Sequence, residues 1–460
     1  MDRRDFMKMS VAGLCGGGLV PANLLAGQPS FSLTAGLASF PLAGAEYPAA
    51  NLWLFNGMSP GPELRLRQGQ QLELAVTNRL DEPTAIHWHG IRNVNAMDGV
   101  PYLTQPPIEP GETFHYSVPL DKAGTYWYHA HNRSWEQVAR GLYGPLIIEG
   151  EEDPLVDHDL VMMLDDWRLD DAGQLHEASF GSLHDFSHAG RLGNWLTVNG
   201  RSDAEMAVRP GARVRLRLIS ATNARILKLD FAGLEVLLIA EDGRACLHQP
   251  VSGVRLGPGQ RADLLFTMDS PLFELREVSG GDAYPAGRLV ADPDLGGAGR
   301  QKPPLVQPSL PAMPDPADAR VVPLHMQGGA MGNLAAASYQ GEMLPLRELA
   351  QQHSKLWAFN GIVGDYAETL VEAQLGEVIM LDIFNDTAWP HAMHLHGHHF
   401  WVLADDPAVS LPSGMRDTWL IEPGKRASLV FVADNPGKWL FHCHMLEHAA
   451  SGMVSVIEVS

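Results

Sequence analysis

The chain repeats one pattern three times, and this self-similarity constrains its fold more than any other feature. Each copy carries an Asn-Gly pair ahead of an apolar segment, at Phe55-Asn56-Gly57, Val198-Asn199-Gly200 and Phe359-Asn360-Gly361. Later in each copy a Pro-Gly turn precedes a second apolar segment, at Pro110-Gly111, Pro258-Gly259 and Pro423-Gly424. Strands at this spacing, separated by turns, are typical of Greek-key sandwiches. The repeats therefore predict an all-β protein of three Greek-key β-sandwich domains.

The apolar segments also predict how their strands are buried. In the second copy Val214, Leu216 and Leu218 alternate with three arginines, which predicts a strand with one buried face. In the third copy residues 378–384 are more continuously apolar, as in a strand covered on both faces. The uncharged stretch 321–341 mixes polar residues with glycines, and we expect a loop there.

The repeats set approximate limits for the domains. We place them at residues 30–150, 151–300 and 320–460, with a linker at 301–319 that contains the Pro-rich segment 303–316. The chain has only three cysteines, Cys15, Cys246 and Cys443, so no disulfide framework stabilises it. Cys246 is expected to be a small buried apolar residue.

The net charge excludes nucleic acid as a favoured partner. Asp and Glu number 54 against 33 Lys and Arg, so the formal net charge is −21. A charge of this sign repels phosphate backbones and anionic lipid. Nucleic acid is therefore a poor partner for this chain.

The first 28 residues predict a twin-arginine export signal. Arg3 and Arg4, with Phe6 and Lys8, precede an uncharged, weakly apolar, Gly-rich segment. A membrane anchor is the alternative, but glycines and Pro21 make this segment a poor spanning helix. We therefore expect the Tat machinery to export the folded protein to the periplasm or the cell exterior. The cleavage site stays open, and no stable membrane association is expected after the signal is removed.

Four His-x-His pairs indicate metal binding. They are His87-Trp88-His89, His129-Ala130-His131, His394-Leu395-His396 and His442-Cys443-His444. Because residues i and i+2 of a strand point to the same side, each pair presents two imidazoles together. The resulting eight ligands are too many for one zinc ion, so several metal ions must share them. The second copy has Ala-Thr-Asn-Ala at 221–224 instead, and we expect no metal ligands in that domain.

The last pair encloses a cysteine that strand alternation aims to the opposite side. Cys443 is followed by His448 and Met453, and His391 lies three residues before the third pair. A thiolate with two imidazoles and a weak thioether is the ligand set of a blue-copper electron-transfer centre. A structural zinc site is disfavoured, because such sites are closed and rich in cysteine.

The remaining histidines are not predicted to be metal ligands. Ordinary surface or hydrogen-bonded roles are expected for His158, His176, His184, His188, His325 and His353. His398 and His399 adjoin the third pair, and we expect them to be structural or to orient the ligands.

Together these motifs resemble those of the multicopper oxidases, specifically the three-domain, laccase-like members. The motifs are His-Trp-His-Gly, Trp-Tyr-His-Ala-His, His-x-x-His-x-His and His-Cys-His-x-x-x-His-x-x-x-x-Met. The resemblance covers the whole mature chain and implies three cupredoxin domains, with a trinuclear copper cluster between the first and the third. It implies four copper ions: one type 1, one type 2 and a type 3 pair.

The resemblance also implies which residues bind each copper. By motif position, type 1 copper falls to His391, Cys443 and His448, with Met453 as the axial ligand. Type 2 copper falls to His87 and His394. The type 3 pair falls to His89, His129, His131, His396, His442 and His444.

The same resemblance implies a reaction in which a small reducing substrate gives single electrons to the type 1 copper. Four such steps reduce O₂ to two waters at the cluster. Cys443 is covalently adjacent to His442 and His444, so no diffusing carrier is needed between the sites. Asp98 matches a family carboxylate near the cluster, and we expect it to donate or relay protons. Ala449 departs from the pattern, because many bacterial relatives have a carboxylate there, and proton delivery then relies more on Asp98.

The sequence leaves the electron donor open. An axial methionine favours a lower type 1 potential and hence easily oxidised donors. Phenols and aromatic amines are our first expectation, with Cu(I) and Mn(II) as alternatives. Relatives that oxidise Cu(I) carry a dense methionine-rich insertion, whereas Met326, Met331 and Met343 are scattered here. A copper-binding or copper-storing exported protein without enzyme activity is a further alternative, but relatives of the non-enzymatic kind lack ligands. We expect a monomer.

Overall fold

The computed structural model describes residues 30–296, 302–403 and 413–460. The predicted export signal, with Cys15, lies outside these residues. Within them the chain forms three successive β-sandwiches and a small two-stranded ribbon. The prediction of an all-β protein with three sandwich domains is confirmed.

The first sandwich contains eight strands. They are β1 (Ser30–Phe40), β2 (Ala50–Phe55), β3 (Leu64–Arg67), β4 (Gln71–Asn78), β5 (Ile86–His89), β6 (Thr113–Pro119), β7 (Gly124–Ala130) and β8 (Tyr143–Glu149). One sheet has the order β2-β1-β4-β6 and the other β3-β8-β7-β5. A short 3-10 helix, Asn95–Met97, follows β5, and helix α1 (Ser134–Gln137) follows β7.

The second sandwich contains eleven strands. They are β9 (His158–Trp167), β10 (Trp195–Val198), β11 (Ala204–Val208), β12 (Arg213–Ser220), β13 (Leu227–Asp230), β14 (Val236–Glu241), β15 (Arg244–Val251), β16 (Gly253–Leu256), β17 (Arg261–Thr267), β18 (Leu272–Glu277) and β19 (Tyr284–Ala291). The sheets have the orders β10-β9-β12-β17-β14-β15 and β11-β19-β18-β13-β16. Between β9 and β10 lie a 3-10 helix, Glu177–Ser179, and helix α2 (Leu183–Ser187); the 3-10 helices Pro293–Leu295 and Pro316–Asp318 follow β19.

The third sandwich completes the chain. Its strands are β20 (Arg320–Gly328), β21 (Ala336–Tyr339), β22 (Glu342–Pro345), β23 (Trp357–Phe359), β24 (Thr369–Ala373), β25 (Val378–Asn385), β26 (His391–Leu395), β27 (Trp401–Leu403), β28 (Thr418–Ile421), β29 (Arg426–Val432), β30 (Gly437–Cys443) and β31 (Val454–Val459). The sheets have the orders β23-β20-β25-β29-β27 and β24-β31-β30-β26-β28, and β21 pairs with β22. Helix α3 (Leu346–His353) follows β22, and helix α4 (Leu446–Ala450) follows β30.

The Asn-Gly pairs perform the same local task in all three sandwiches. Each asparagine is left-handed, with φ of 55°, 50° and 52° at Asn56, Asn199 and Asn360, a conformation that asparagine tolerates better than most residues. Each side-chain oxygen accepts a hydrogen bond at 2.7–2.8 Å from the backbone of the first strand of its sandwich, at Thr34, Met163 and His325. Those first strands then pair in parallel in the same way, β1 with β4, β9 with β12 and β20 with β25. The repeated tripeptide therefore anchors equivalent strands.

Each sandwich has its own apolar core, and a further apolar cluster joins the three. Buried Trp127 of β7, Trp167 of β9 and Leu446 of α4 belong to this shared cluster, so each sandwich contributes one of these side chains. Cys246 is buried in the second core, as predicted. Within the described ranges no helix is both long and apolar enough to cross a membrane.

Strand β12 corrects one prediction, because both of its faces are buried. Arg215 and Arg217 are only 4% and 0% exposed. Arg215 pairs with Asp263 and Arg217 with Asp159, while Arg217 Nη1 also donates to Thr125 Oγ1 of β7 at 2.8 Å. The arginines are buried because this face packs against the first sandwich, where ion pairs and hydrogen bonds compensate their charge.

Two expectations for the third copy were also wrong. Strand β25 buries Ile379, Leu381 and Ile383 on one face and leaves the alternate residues half-buried, so it is not covered on both faces. The stretch 321–341 contains most of β20 and all of β21 rather than a loop. In β20 the polar residues occupy the less buried face, while Leu324 and Met326 point into the core.

Candidate metal centre

A compact group of one thiol and two imidazoles lies in the third sandwich. Cys443 ends β30, His391 begins β26 and His448 lies on α4. Cys443 Sγ is 3.5 Å from His391 Nδ1 and 3.8 Å from His448 Nδ1, and the two Nδ1 atoms are 3.1 Å apart. All three residues are 0% exposed. Their donor atoms are close enough to share one metal ion.

The far sides of both imidazoles are held by hydrogen bonds. His391 Nε2 lies 2.8 Å from Thr387 Oγ1, and His448 Nε2 donates to the backbone carbonyl of His188 at 2.6 Å. Burial lowers the pKa of His448 to about 4 and raises the pKa of the Cys443 thiol to about 12. The imidazoles are therefore uncharged at neutral pH, and a metal ion would displace the thiol proton on binding.

Two methionines belong to the same apolar surroundings. Met453 is 0% exposed and shares the third core with Cys443, and its backbone carbonyl accepts from Cys443 N at 3.0 Å. Met445 Sδ lies 3.8 Å from Cys443 Sγ and accepts from Ala392 N at 3.2 Å. Met445 was not singled out from the sequence, although it follows the last His-x-His pair directly.

The histidines of the four pairs meet where the first sandwich contacts the third. In the first sandwich β5 and β7 pair so that His87 lies opposite His129. In the third, β26 and β30 pair so that His394 lies opposite His442. None of the eight side chains is more than 5% exposed.

These eight histidines form three groups, two of which share His89, and in each group the ligand atoms lie within 4.8 Å of one another. The groups are His89 with His129 and His444, His131 with His396 and His442, and His87 with His89 and His394. Every group combines residues of the first and third sandwiches. Neither sandwich therefore holds a complete group alone.

Many ring nitrogens in these groups are buried without a hydrogen-bond partner among the described residues. They are His87 Nε2, His89 Nδ1, His129 Nε2, His131 Nδ1, His394 Nε2 and both ring nitrogens of His444. An unpaired buried polar atom costs about 1–3 kcal/mol, so a bound ligand would relieve a real penalty here. Neutral imidazole is a preferred ligand of copper, and together with the buried thiol this donor set fits copper ions.

Burial also keeps these imidazoles uncharged. It lowers the pKa of His442 to about 4. Burial, together with the neighbouring histidines, lowers the pKa of His394, His396 and His444 well below the usual value. Because metal ions bind only the neutral imidazole, this environment favours metal binding at neutral pH.

Asp98 holds two of the histidines from the side of the first sandwich. Its backbone carbonyl accepts from His87 Nδ1 at 2.8 Å, and its Oδ2 lies 2.8 Å from His396 Nδ1. The two rings stack with centroids 3.7 Å apart. Asp98 is 1% exposed, and its Oδ1 has no hydrogen-bond partner among the described residues.

Asp417 repeats this arrangement from the side of the third sandwich. Its backbone carbonyl accepts from His394 Nδ1 at 2.8 Å, and its Oδ1 lies 3.2 Å from His89 Nε2. These two rings stack with centroids 3.8 Å apart. Thr418 Oγ1 lies 3.2 Å from His89 Nε2 and donates to Asp417 Oδ1 at 2.8 Å. With Nδ1 of His394 and Nε2 of His89 engaged, the opposite nitrogen of each ring faces its group.

The structure places the residues of the last His-x-His pair as strand alternation predicts. His442 and His444 belong to two of the histidine groups, and Cys443 between them belongs to the thiol group. His398 and His399 join none of the groups, although His399 Nε2 lies 3.8 Å from Asp417 Oδ2. His188, to which the sequence assigned no role, contacts His448 through its backbone carbonyl.

Several residues of the site carried no sequence signal. Asp417 and Thr387 stand outside the His-x-His pairs, and no spacing rule connects them to the ligands. Arg261, whose guanidinium donates to both carboxylate oxygens of Asp417, comes from the second sandwich. Only the folded chain brings these residues together.

The comparisons with known proteins agree for all three sandwiches. Three family models, each described as multicopper oxidase, match residues 41–153, 158–273 and 342–460. Multicopper oxidase MmcO of Mycobacterium tuberculosis is 28% identical over 440 residues, which cover 89% of this chain and 84% of that protein. Laccase-1 of Cryptococcus neoformans and copper resistance protein A of Pseudomonas syringae are further relatives, at 27% and 26% identity over 89% and 99% of this chain and 77% and 99% of theirs.

Solved structures show the same relationship. The multi-copper oxidase of Pseudomonas thermotolerans superposes with a TM-score of 0.80 at 30% identity, covering 94% of this chain and 99% of that one. Lac15 from a marine microbial metagenome superposes with a TM-score of 0.74 at 34% identity, covering 94% of this chain and 100% of that one. The chain therefore belongs to the multicopper oxidase family, and it is a copper-dependent oxidoreductase.

Proposed function

We propose that the enzyme oxidises phenolic or aromatic amine donors one electron at a time and reduces O₂ to water with four such electrons. The observation that carries this proposal is the complete, buried donor set. One thiol-imidazole group and three histidine groups occur together, and a single strand, β30, contributes to both kinds. A copper-binding protein without oxidase activity would not need two kinds of group joined in this way.

We assign four copper ions to these groups. His391, Cys443 and His448, with Met453 as a further ligand, would hold type 1 copper. His87 and His394 would hold type 2 copper. The type 3 pair would be held by His89, His129 and His444 on one side and by His131, His396 and His442 on the other. When bound, these ions supply one-electron acceptance from the donor and binding and reduction of O₂.

The protein's own part is to join the groups and to exclude water from them. Cys443 is covalently continuous with His442 and His444, so the backbone of one strand connects the thiol group to both type 3 groups. The hydrogen bond from His442 Nδ1 to the Cys443 carbonyl, 2.9 Å long, adds a second connection along the same path. Burial of these residues keeps the path dry.

Asp98 is our candidate for proton donor or relay. Its Oδ2 faces His396, whereas its buried Oδ1 lies 3.4 Å from His87 Nδ1 and has no hydrogen-bond partner among the described residues. Ala449 lines a cavity of about 230 Å³ that also reaches His131 and His442. No carboxylate belongs to the described lining of this cavity, so we expect Asp98 to carry most of the proton delivery.

Aromatic donors fit the surface over the thiol-imidazole group. His448 is fully buried, and its Nε2 donates to the His188 carbonyl at 2.6 Å. The His188 ring stacks on exposed His184 at 4.0 Å between centroids and packs against Trp389 at 5.4 Å. A planar phenol or aromatic amine can pack on such rings.

Oxidation of Cu(I) or Mn(II) remains our second candidate, because copper resistance proteins are among the relatives. Thioether sulfur is the preferred ligand of Cu(I). Met331 and Met343 are 75% and 67% exposed, but Met326 is buried in the core. Because Met326 is buried, the three methionines cannot all contribute to one exposed sulfur site, which favours organic donors.

We further propose export by the twin-arginine route and a monomeric oxidase. The export proposal depends on Arg3 and Arg4 in the sequence. Replacing both with lysine should retain the protein in the cytoplasm, as cell fractionation would show. Size-exclusion chromatography with light scattering tests the oligomeric state.

The central experiment combines copper analysis with oxygen uptake. Holoprotein should contain about four copper ions and show the intense thiolate-to-copper absorption of a blue site, which Cys443→Ser should abolish. Oxygen uptake is then compared for a phenol, an aromatic amine, Cu(I) and Mn(II). A colourless copper-replete wild type would refute the type 1 assignment, and faster turnover with Cu(I) or Mn(II) than with organic donors would favour the second candidate.

A further inference from the structure

One turn of the second sandwich reaches the eight histidines of the four pairs, here called the histidine cluster, although no described residue of that sandwich belongs to a metal-binding group. Gly259, in the Pro-Gly turn before β17, has a φ of +83°. A Cβ atom at this position would lie 2.8 Å from His89 Cε1 and 3.1 Å from His444 Cδ2. Because only glycine allows so close an approach, this turn forms a wall of the cluster.

Arg261 follows that turn and is fully buried against Asp417. Its Nη1 and Nη2 donate to the two carboxylate oxygens of Asp417 at 2.8 and 2.6 Å. Nη1 also donates to the Gly259 carbonyl at 2.9 Å, and Nε donates to the Thr125 carbonyl at 3.1 Å. Bidentate pairing of this kind fixes direction as well as distance, so the guanidinium has one orientation.

The ion pair is enclosed on its remaining side by the first sandwich. Gly90 directly follows His89, and a Cβ atom there would overlap both Arg261 Nη2 and Asp417 Oδ2. Thr125, Arg261 and Asp417 come from the first, second and third sandwiches respectively. All three sandwiches therefore converge on one carboxylate.

Asp417 transmits this constraint to the histidines. Its carbonyl fixes His394 Nδ1 and its carboxylate lies against His89 Nε2. Asp98 has the equivalent place on the other side of the cluster, but no arginine or lysine of the described residues forms an ion pair with it. The second sandwich thus clamps one of two otherwise similar carboxylates.

We propose that Arg261 is a positioning residue for the O₂-reducing cluster, which clamps Asp417 and thereby sets the orientation of His394 and His89. The inference rests on the type 2 and type 3 assignments proposed above. The second sandwich would then contribute to the chemistry by positioning ligands, although none of its described residues is itself a proposed ligand.

The test compares Arg261→Ala and Arg261→Lys with wild-type holoprotein. Loss of a residue that orients a metal ligand typically weakens metal binding about 10–100-fold, so Arg261→Ala should lose type 2 copper. Copper analysis and electron paramagnetic resonance should show this loss, while the blue absorption stays at the wild-type intensity. Lysine keeps the charge but cannot bond both oxygens. Arg261→Lys should therefore retain the copper with a shifted type 2 hyperfine coupling. This variant tests the proposal if the alanine variant does not fold.

Arg217→Ala is the matched control. Arg217 is also fully buried in the second sandwich, also pairs with aspartate and also contacts Thr125, but it touches none of the proposed ligands. This variant should lower the unfolding temperature and leave the type 2 signal unchanged.

The outcomes distinguish a failure of the proposed ligand assignment from a failure of the proposed role of Arg261. A wild type without a type 2 signal refutes the proposed ligand assignment itself. If the wild type shows that signal and the Arg261 variants have the same copper content and spectrum, only the proposed role of Arg261 is overturned. An equal loss of type 2 copper in Arg217→Ala would also overturn it, since the effect would then reflect general loosening of the second sandwich.

Discussion

At the residue scale, the proposed ligands are held by the ring nitrogen that faces away from the metal group. Thr387 engages His391, the His188 carbonyl engages His448, and two aspartate carbonyls engage His87 and His394. Such contacts fix the tautomer and the ring orientation of a ligand before any ion binds. The donor atoms are therefore preorganised for the metal.

Replacing Asp98 with asparagine should slow proton-coupled reduction of O₂. We expect reoxidation of the reduced enzyme to fall by about 10²–10⁴-fold, the contribution of a general acid. Reduction of the blue centre by donor should not change, because Asp98 contacts the histidine cluster and not the Cys443 group. Rapid mixing of reduced enzyme with O₂ measures the first rate, and anaerobic mixing with donor measures the second.

Ala449→Glu in the Asp98→Asn background provides the complementary variant. The cavity beside Ala449 reaches His131 and His442, so a carboxylate there should restore part of the reoxidation rate through water. Reoxidation of Asp98→Asn at the wild-type rate would assign proton delivery to another group.

Residue spacing predicts the ligands but not the groups that orient them. Alternation along one strand is a local property, so the pairs His442/His444 and His87/His89 could be recognised as sharing a side. Asp417 is 156 residues from Arg261 in sequence, and their contact depends on how whole sandwiches pack. No local pattern encodes such a contact.

At the element scale, strand β30 contributes to both kinds of group. His442 belongs to a histidine group, and the next residue, Cys443, belongs to the thiol-imidazole group. The pairing of β26 with β30 sets His394 opposite His442 and Met393 opposite Cys443. The ligands of the cluster and those of the thiol group can therefore be changed independently.

The variant His394→Ala tests this separation. It should leave the blue centre intact and reducible by donor, because His391, Cys443 and His448 are untouched. Oxygen uptake should stop, since His394 belongs to the cluster. Oxygen uptake at the wild-type rate in this variant would show that His394 is wrongly assigned to the O₂-reducing cluster. The control is His353→Ala, which replaces an exposed histidine of α3 and should behave as wild type.

Elements also show where sequence patterns mislead. An Arg-x-Arg alternation looks like an exposed face, yet Arg215 and Arg217 of β12 are buried because another sandwich supplies partners. The polar residues of β20 look like a loop, yet they form the less buried face of a strand that pairs with β25. In both cases the neighbouring element, which sequence alone does not show, decides the burial.

At the scale of the whole molecule, copper and pH should act together on stability. Burial lowers the pKa of His442 and His448 to about 4, whereas an unfolded histidine titrates near 6.5. Between these values the unfolded chain binds protons that the folded chain does not, so the copper-free protein should lose stability as the pH falls.

Calorimetry of copper-free and copper-loaded protein at about pH 7.5 and about pH 5 checks this. Copper binds the folded state and should raise the unfolding temperature, by a smaller margin at the lower pH because protons compete for the imidazoles. An unfolding temperature of the copper-free protein that is equal or higher at the lower pH would contradict the expected direction.

Every histidine group is divided between the first and third sandwiches, and this division bears on when copper could bind during synthesis. While the ribosome has made only the residues up to about the end of the second sandwich, the nascent chain contains His87, His89, His129 and His131 but no closed group. The partners at His394 and beyond emerge late. Copper uptake by the proposed groups would therefore wait until the third sandwich has folded against the first, and the nascent chain would hold no half-built copper site.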